Sequence, residues 1–413
     1  MAKKQASLIF IFITILVEVI GFGIIAPIGP DLIKELAGEE IVASSTFGEE
    51  GWIGALLMIS YASMQFLFAP ILGEISDKVG RRPVLLISLA GLAIDYVLHA
   101  TATTLSLLFI GRFLAGICGA SFSVASSYIA DISAPEDKAK NFGMIGVAFG
   151  LGFIIGPVIG GIVGEYFGTR APFYVAAGLT FLNMLYGLIV LPESLKKENR
   201  RNVIPTKMIP GISLAHLSKY KGLGYLIFAF FLAQIAGQSL PSTWSYFGKE
   251  SFGWTKEQIG YSLGAVGILV AIVQGGLIGP AVKKFGQKNV IRFGFIMWTI
   301  GMFLFSIAVE SWMIIVFLIP YALGGVGSPT AQGLISNSVK PNEQGNLQGA
   351  LTSLVGLSAI IGPLLSGRLF YLFTDLHEEF FYFPGMPYAA SGILLMFATV
   401  FAFKAVGKNG IVY

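Results

Sequence analysis

Cysteine is nearly absent: Cys118 stands alone among 413 residues, inside an apolar run. No intrachain disulfide can form, and the redox compartment is not legible. Charge is scarce as well. Only 12% of residues are Asp, Glu, Lys or Arg, against about 25% in a soluble domain. The three histidines, His99, His216 and His377, are scattered. No His, Cys or carboxylate grouping has metal-ligand spacing, so neither a metal nor a cofactor is expected. No nucleophile–base pair is visible, and no glycine run follows a strand or ends in a GK[ST] phosphate loop. Polar stretches long enough to hold a catalytic domain are missing, so an enzyme is not expected. The net charge of +4 is spread over short loops rather than gathered on one face, which argues against a nucleic-acid partner.

What remains is apolar sequence. Hydrophobic residues make up 55% of the chain, with a mean hydropathy of +0.77. Runs of about 20 apolar residues cross a bilayer. Twelve such runs can be read, at 7–30, 51–72, 83–102, 104–129, 141–164, 172–191, 222–247, 257–281, 289–309, 311–335, 345–371 and 386–405. The first is too long for a signal peptide, contains Glu18, and is followed by no small-residue cleavage site. The expected fold class is therefore an all-α polytopic membrane protein, with twelve transmembrane helices in two six-helix bundles.

The chain repeats itself. The charged turn Gly73-Glu74-Ile75-Ser76-Asp77-Lys78-Val79-Gly80-Arg81-Arg82 returns 206 residues later as Gly279 to Lys288, with Gly73 on Gly279, Gly80 on Gly286 and Arg82 on Lys288. Ile154-Ile155-Gly156-Pro157 returns at the same offset as Ile360-Ile361-Gly362-Pro363. This divides the chain into an N-terminal bundle (1–192), a polar linker (193–221) carrying Pro205 and Pro210, and a C-terminal bundle (222–413). Parallel six-helix repeats share one orientation, the plan of transporters whose substrate site lies near the bilayer midplane between rocking halves. With both termini cytoplasmic, the outer face keeps only Lys34, Arg170, Lys249 and Lys256, together with acids such as Glu39, Glu40, Glu49, Glu50, Glu378 and Glu379. Arg112 and Arg368 lie within segments, and the rest of the 27 Lys and Arg fall inside. That distribution obeys the positive-inside rule and predicts a multi-pass protein of the cell inner membrane.

Charges inside a segment cost roughly 2.5–3.5 kcal/mol each on insertion scales, so each needs a reason. Glu18 lies ~16 Å into its helix at 1.5 Å per residue. Asp95 and Arg112 lie at similar depths on consecutive segments, with Glu18 slightly deeper and within reach of Arg112 if segments 1 and 4 adjoin. Two readings are open. One is a proton-linked switch, in which Arg112 holds a carboxylate ionised until substrate or conformation releases it. The other is a static ion pair tying segments 3 and 4. His99, close to the end of its segment, reads as interfacial.

The second half has no acid at mid-membrane. Its polar interior candidates are Gln234, Gln238, Gln274 and Gln332, with Trp298 as the large aromatic; the first half adds Tyr61, Gln65 and Asn183. Amides and aromatics orient an amphipathic organic substrate without demanding charge. The same residues can equally form interhelical hydrogen bonds. Segment 5 is dense in glycine, with Gly152, Gly156, Gly160 and Gly161 around Pro157. Small residues at this spacing allow close helix approach, and the proline bends the helix, so this run reads as a packing and gating hinge.

These motifs carry a family resemblance over the whole chain. Gly73…Asp77…Gly80-Arg81-Arg82 resembles the major facilitator signature between helices 2 and 3, and Arg112…Gly116 that superfamily's helix-4 motif. Gly152…Gly156-Pro157…Gly160-Gly161 is similar to the helix-5 motif of the drug/proton antiporter branch. Within that branch, Phe68-Ala69-Pro70, Asp95-Tyr96, Ala148-Phe149-Gly150-Leu151-Gly152, Gln234…Gly237-Gln238 and Gln344-Gly345…Leu347-Gln348-Gly349 most resemble the tetracycline/proton antiporters. The resemblance implies a cytoplasmic gate at Gly73, Asp77, Gly80, Arg81 and Arg82, with Asp131 as charge partner, and an acidic role for Glu18 in helix 1. It departs at Val270 and Trp298, where such transporters carry a helix-8 histidine and a helix-9 aspartate. Proton coupling would then fall to Glu18, Asp95 and Arg112. The expectation is a monomeric secondary transporter that exchanges protons for an amphipathic organic compound by alternating access. The alternative is a metabolite or siderophore uniporter or symporter of the same fold.

Overall fold

A computed structural model describes residues 2–37, 49–210, 212, 222–374 and 381–407. Glu39, Glu40, Glu378, Glu379, His216, His377 and Lys408, and all of 213–221, lie outside the described residues. Among the described residues every regular element is helical. Twelve helices are long and apolar enough to cross a membrane. They are α1 (Ser7–Ile24, within a helix running Ala2–Ala37), α2 (Leu56–Val79), α3 (Arg81–Thr101), α4 (Leu105–Ile132), α5 (Lys138–Phe167) and α6 (Ala171–Val190). The second six are α7 (Leu223–Phe252), α8 (Gln258–Phe285), α9 (Gln287–Ser306), α10 (Ser311–Asn337), α11 (Pro341–Thr374) and α12 (Met386–Val406). The twelve-helix membrane fold read from the apolar runs is the fold observed.

The repeat is realised in the backbone. Gly80 and Gly286, 206 positions apart, both have positive φ, +110° and +76°, and each opens the third helix of its half. With extended ψ, both sit in a region that only glycine occupies at no steric cost. α4 is interrupted at Ala120 and α10 at Gly325–Val326, corresponding positions. α5 carries Pro157 and α11 carries Pro363. Packing repeats as well: α6 lies against α3 and α1, and α12 against α9 and α7.

The two turns differ in one respect. A Cβ on Gly80 would stand 2.2 Å from Glu193 Oε2, whereas one on Gly286 would meet nothing within 4 Å. Gly80→Ala is therefore expected to destabilise more than Gly286→Ala. Both carry the backbone strain of about 1–3 kcal/mol, and only Gly80→Ala also displaces the Glu193 carboxylate. Paired unfolding midpoints of the two purified variants read the difference.

Many large apolar side chains stand exposed, among them Ile87 and Ile94 on α3, Leu182 and Ile189 on α6, and Ile393 and Phe397 on α12. In water such a surface would drive association. Against hydrocarbon it is the solvated state, and the bilayer explains the pattern.

Close contacts divide the chain into two compact units. The first comprises Met1–Ile132, Leu151–Ser213 and Pro341–Ser353; the second comprises Ser133–Gly150, Leu214–Lys340 and Leu354–Tyr413. Each unit thus keeps most of one half of the chain but takes the leading turns of α11 or α5 from the other. The first unit has a core of Ile20, Ile24, Tyr96, Leu108 and Phe173, joining α1, α3, α4 and α6. The second is centred on Trp244, with Phe305 and Tyr388 at ring-centroid distances of 5.2 and 6.1 Å and the indole N–H donating to Ser262 Oγ at 2.8 Å.

Candidate functional site

One turn of α3 separates Asp95 from His99, placing both on one face, and α4 brings Arg112 against them. The Arg112 Nη2 donates to Asp95 Oδ2 at 3.2 Å, and its Nε donates to His99 Nε2 at 2.9 Å. His99 Nδ1 lies 2.9 Å from Asp95 Oδ1 and 3.0 Å from the Asp95 carbonyl oxygen. A guanidinium can only donate, so His99 Nε2 presents its lone pair and the ring proton sits on Nδ1. All three groups are buried, with Asp95 at 0%, His99 at 4% and Arg112 at 7% exposure. Gly111 makes the approach possible: a Cβ there would stand 2.4 Å from His99 Cε1 and 2.8 Å from Asp95 Oδ1. The structure thus brings Asp95 and Arg112 together. It corrects the interfacial reading of His99, which Gly111 and the Phe173 ring (centroids 5.4 Å apart) enclose in the protein.

Glu18 is not held by Arg112. It has no ion pair or hydrogen bond among the described residues. Its surroundings are nevertheless built closely. One turn on, Gly21 takes the hydroxyl end of Tyr96, which would collide with any Cβ there. Tyr96 and Tyr61 both lie within electrostatic reach of Glu18, Asp95 and Arg112. Phe22 sits between Tyr61 and Phe153, at centroid distances of 6.0 and 6.4 Å. The helix-5 glycines dock α5 on this stretch of α1: a Cβ on Gly152 would stand 2.6 Å from Val19 Cγ1, and one on Gly156 2.7 Å from the Ile20 carbonyl oxygen. A Cβ on Gly23 would likewise stand 3.0 Å from Pro157 Cδ. Gly160 is buried, and Gly161 is exposed with open space around it. The packing part of the motif is therefore Gly152, Gly156 and Pro157.

A second cluster forms at the α2–α3 turn. Asp77 Oδ1 pairs with Arg81 Nη1 at 2.6 Å and accepts from the Gly345 N–H at 3.0 Å. Asp77 Oδ2 accepts from the Asn346 N–H at 3.2 Å and from Arg201 Nη2 at 2.8 Å. A carboxylate here caps the first turn of α11, where free N–H groups and the helix dipole favour negative charge. Gly73 is needed beside it, because its Cβ would stand 2.2 Å from the Gly345 carbonyl oxygen. Arg81 reaches on to Asp131 at 3.2 Å, which Ser194 also hydrogen-bonds at 2.9 Å. Arg82 donates to the Leu188 carbonyl at 2.7 Å. Gly80, Arg81 and Arg82 bracket the turn, and the Glu193 carboxylate accepts from the Arg81 and Arg82 N–H groups.

Sequence reasoning missed three members of this cluster: Glu74, Glu193 and Arg201. Arg201 pairs with Glu74 through both Nη1 and Nη2, and its Nε donates to the Asn342 carbonyl at 2.6 Å. The stretch taken for a linker is thus tied down at 193–207, with Ile204 N–H donating to Glu74 and Lys207 3.5 Å from Glu343. Burial opposes the Arg201 charge, but the hydrogen bonds and charges of Glu74 and Asp77 outweigh it and raise its pKa. The signal available in the sequence was Glu74 itself, an acid with no counter-charge assigned.

The cavity candidates are put to several uses. Asn183 donates to Thr14 Oγ1 at 2.9 Å and is buried between α6 and α1, an interhelical hydrogen bond rather than a free amide. Gln65 reaches Tyr61 OH and the Gly119 carbonyl, both at 3.4 Å. Gln274 sits in a π-helical turn of α8, Val273–Leu277, with its amide against Gly146 and Gly325. Gln234 and Gln238 are half-buried on α7, and neither amide has a hydrogen-bond partner among the described residues. Gln238 occupies the break in that helix, where Gly362 leaves room for its stem. Gln332 is half-buried on α10. Trp298 is seated on Gly324 and near Gly237, with Tyr321 edge-on at 6.5 Å, and its buried indole N–H has no partner among the described residues. Among the described residues no group of His, Cys, Asp and Glu could hold a metal ion.

The Major Facilitator Superfamily profile matches residues 11–277 and 226–409. The class C tetracycline resistance protein of Escherichia coli is 40% identical over 364 residues, 88% of this chain and 89% of that one. The class B tetracycline resistance protein of Escherichia coli is 35% identical over 410 residues, 98% of each. The crystal structure of the human organic anion transporter MFSD10 (TETRAN) superposes with a TM-score of 0.85, covering 97% of this chain and 99% of that one at 21% identity.

Proposed function

We propose, on the premise that this chain belongs to the Major Facilitator Superfamily, that it exports a tetracycline-like amphipathic compound in exchange for protons. The chain is a multi-pass membrane transporter of the drug-efflux kind, acting on a small organic substrate. The finer reading rests on one observation: away from their ends, the first unit's membrane helices carry a buried Asp95–Arg112 pair and Glu18, which shares electrostatic neighbours with that pair and has no ion pair or hydrogen bond among the described residues. A carboxylate in that setting changes its proton affinity when a neighbouring cation moves. Glu18 and Asp95 are the proton-carrying acids of this reading, with Arg112 as the movable cation. Gln234, Gln238, Gln274, Gln332 and Trp298 face the substrate, with Tyr61 and Gln65.

The protein works as a monomer in the cell inner membrane, and its cation distribution favours cytoplasmic termini. The halves 1–192 and 222–413 alternate access, and the Asp77–Arg81–Asp131 cluster is the cytoplasmic gate. A second reading, a uniporter or symporter for a metabolite, is favoured by Val270 and Trp298, which supply no titratable group.

Inside-out vesicles with an imposed acid interior test the exchange. Wild-type protein is expected to accumulate tetracycline, and Glu18→Gln is expected to lose accumulation driven by the pH gradient while keeping its unfolding midpoint. Equal accumulation by Glu18→Gln and by Asp95→Asn would remove the proton-exchange reading.

A further inference from the structure

His99 has a geometry that a merely space-filling histidine does not need. Its two nitrogens bridge the partners of an ion pair: Nδ1 faces Asp95 and Nε2 takes the Arg112 Nε–H. Its ring is sealed by Gly111 and Phe173. The ring N–H points at the Asp95 backbone carbonyl, leaving Asp95 Oδ1 without a full hydrogen bond. The ring itself meets Asp95 and Arg112, and the charged and titratable groups that interact with those two are Tyr61 on α2, Tyr96 on α3 and Cys118 on α4, each of which also interacts with Glu18 on α1. At the start of α6 stands Arg170, bonded to the Ala100 and Ala102 carbonyls and to Glu35.

We propose that His99 is the positioning residue of the charge site: neutral, it holds Arg112 on Asp95, and a proton bound at its Nε2 releases Arg112. The inference rests on the proton-exchange reading for its purpose, but not for its chemistry. Nε2 has one lone pair. A proton taken there from water makes an imidazolium, and the Arg112 Nε–H loses its acceptor. The imidazolium remains against Asp95 through Nδ1–H, so Asp95 now has two cations for one negative charge. The surplus falls on Arg112, the longer and more mobile of the two, and the nearby unpaired acid is Glu18 on α1. Proton binding at His99 thus moves a cation from Asp95 towards Glu18.

With only three histidines in the chain, the test can be direct. His216→Gln with His377→Gln leaves His99 as the only imidazole. The variant is labelled with 15N and reconstituted in lipid vesicles, and its ring and guanidinium nitrogens are followed from pH 8.5 to 5 by NMR. The expected result is an Nδ1-protonated neutral ring at high pH, with Nε2 a hydrogen-bonded acceptor. Both nitrogens become protonated as pH falls, with the Arg112 Nε signal shifting in step. An Nε2-protonated ring at high pH, a ring neutral throughout, or an Arg112 signal that ignores the titration would overturn the proposal. His99→Gln supplies the second readout: its amide oxygen can accept from Arg112 but cannot take a proton. Substrate-driven proton flux in this variant is expected to lose the pH dependence that wild type shows. An unchanged profile counts against His99. If wild type itself carries no flux, the exchange reading falls, and the NMR titration still decides the role of His99.

Discussion

Arg112→Ala should destabilise the protein by about 3–5 kcal/mol, the range for removing one member of a buried ion pair. Asp95 is fully buried, and Arg112 is the cation that neutralises it at 3.2 Å. The truncation leaves the buried carboxylate without its guanidinium and also strips His99 Nε2 of its donor. Both losses follow from one side chain. The cost comes from the orphaned charge rather than from lost contact, so Arg112→Ala combined with Asp95→Asn should recover most of the stability, though not transport. Arg112→Lys should recover less than Arg112 itself provides, because one ammonium nitrogen cannot occupy the two donor positions, Nε and Nη2, from which Arg112 reaches His99 and Asp95. Denaturant unfolding of the three variants and wild type in one detergent reads these differences. Equal stability of Arg112→Ala and wild type would show that the pair carries no weight.

Arg201→Ala should have the next largest effect, about 3 kcal/mol, the lower end of the same range. Glu74 and Asp77 are both buried to 0% exposure. Asp77 keeps Arg81 and the α11 N–H groups after the change, so it remains compensated. Among the described residues, Glu74 then keeps only the Ile204 N–H as a partner. Residues 193–207 should then detach, and limited proteolysis should cut there while wild type resists. Adding Glu74→Gln removes the orphaned charge and should restore the unfolding midpoint but not the protease resistance, because Arg201 also anchors the Asn342 carbonyl. Full resistance of Arg201→Ala would show that this segment is held by something other than Arg201.

Features set by chain periodicity were legible in the sequence. Twelve apolar runs and a 206-residue offset suffice to place the helices, and the offset reappears in the positive φ of Gly80 and Gly286. The meeting of Asp95 and Arg112 was legible because consecutive antiparallel helices put residues of equal depth side by side. What was hidden depends on which helix faces touch. His99 looked interfacial from its distance to the helix end, and only the glycine at 111 lets α4 close over it. Asn183 and Thr14 are 169 positions apart, and no spacing rule pairs them. Arg201 was one cation among several in a polar stretch, and its partners Glu74 and Asp77 lie more than a hundred positions earlier. The compact units were hidden for another reason. α5 and α11 are each one uninterrupted helix by sequence, yet their leading turns pack in the unit opposite to the rest of the half they belong to.

The most direct measurement of the exchange is substrate-driven proton flux across vesicles that hold the purified protein and a pH-sensitive dye. Proton exchange predicts that tetracycline added to one side moves protons to that side, and that Glu18→Gln abolishes the signal. Tetracycline crossing the membrane with no accompanying proton flux would contradict it.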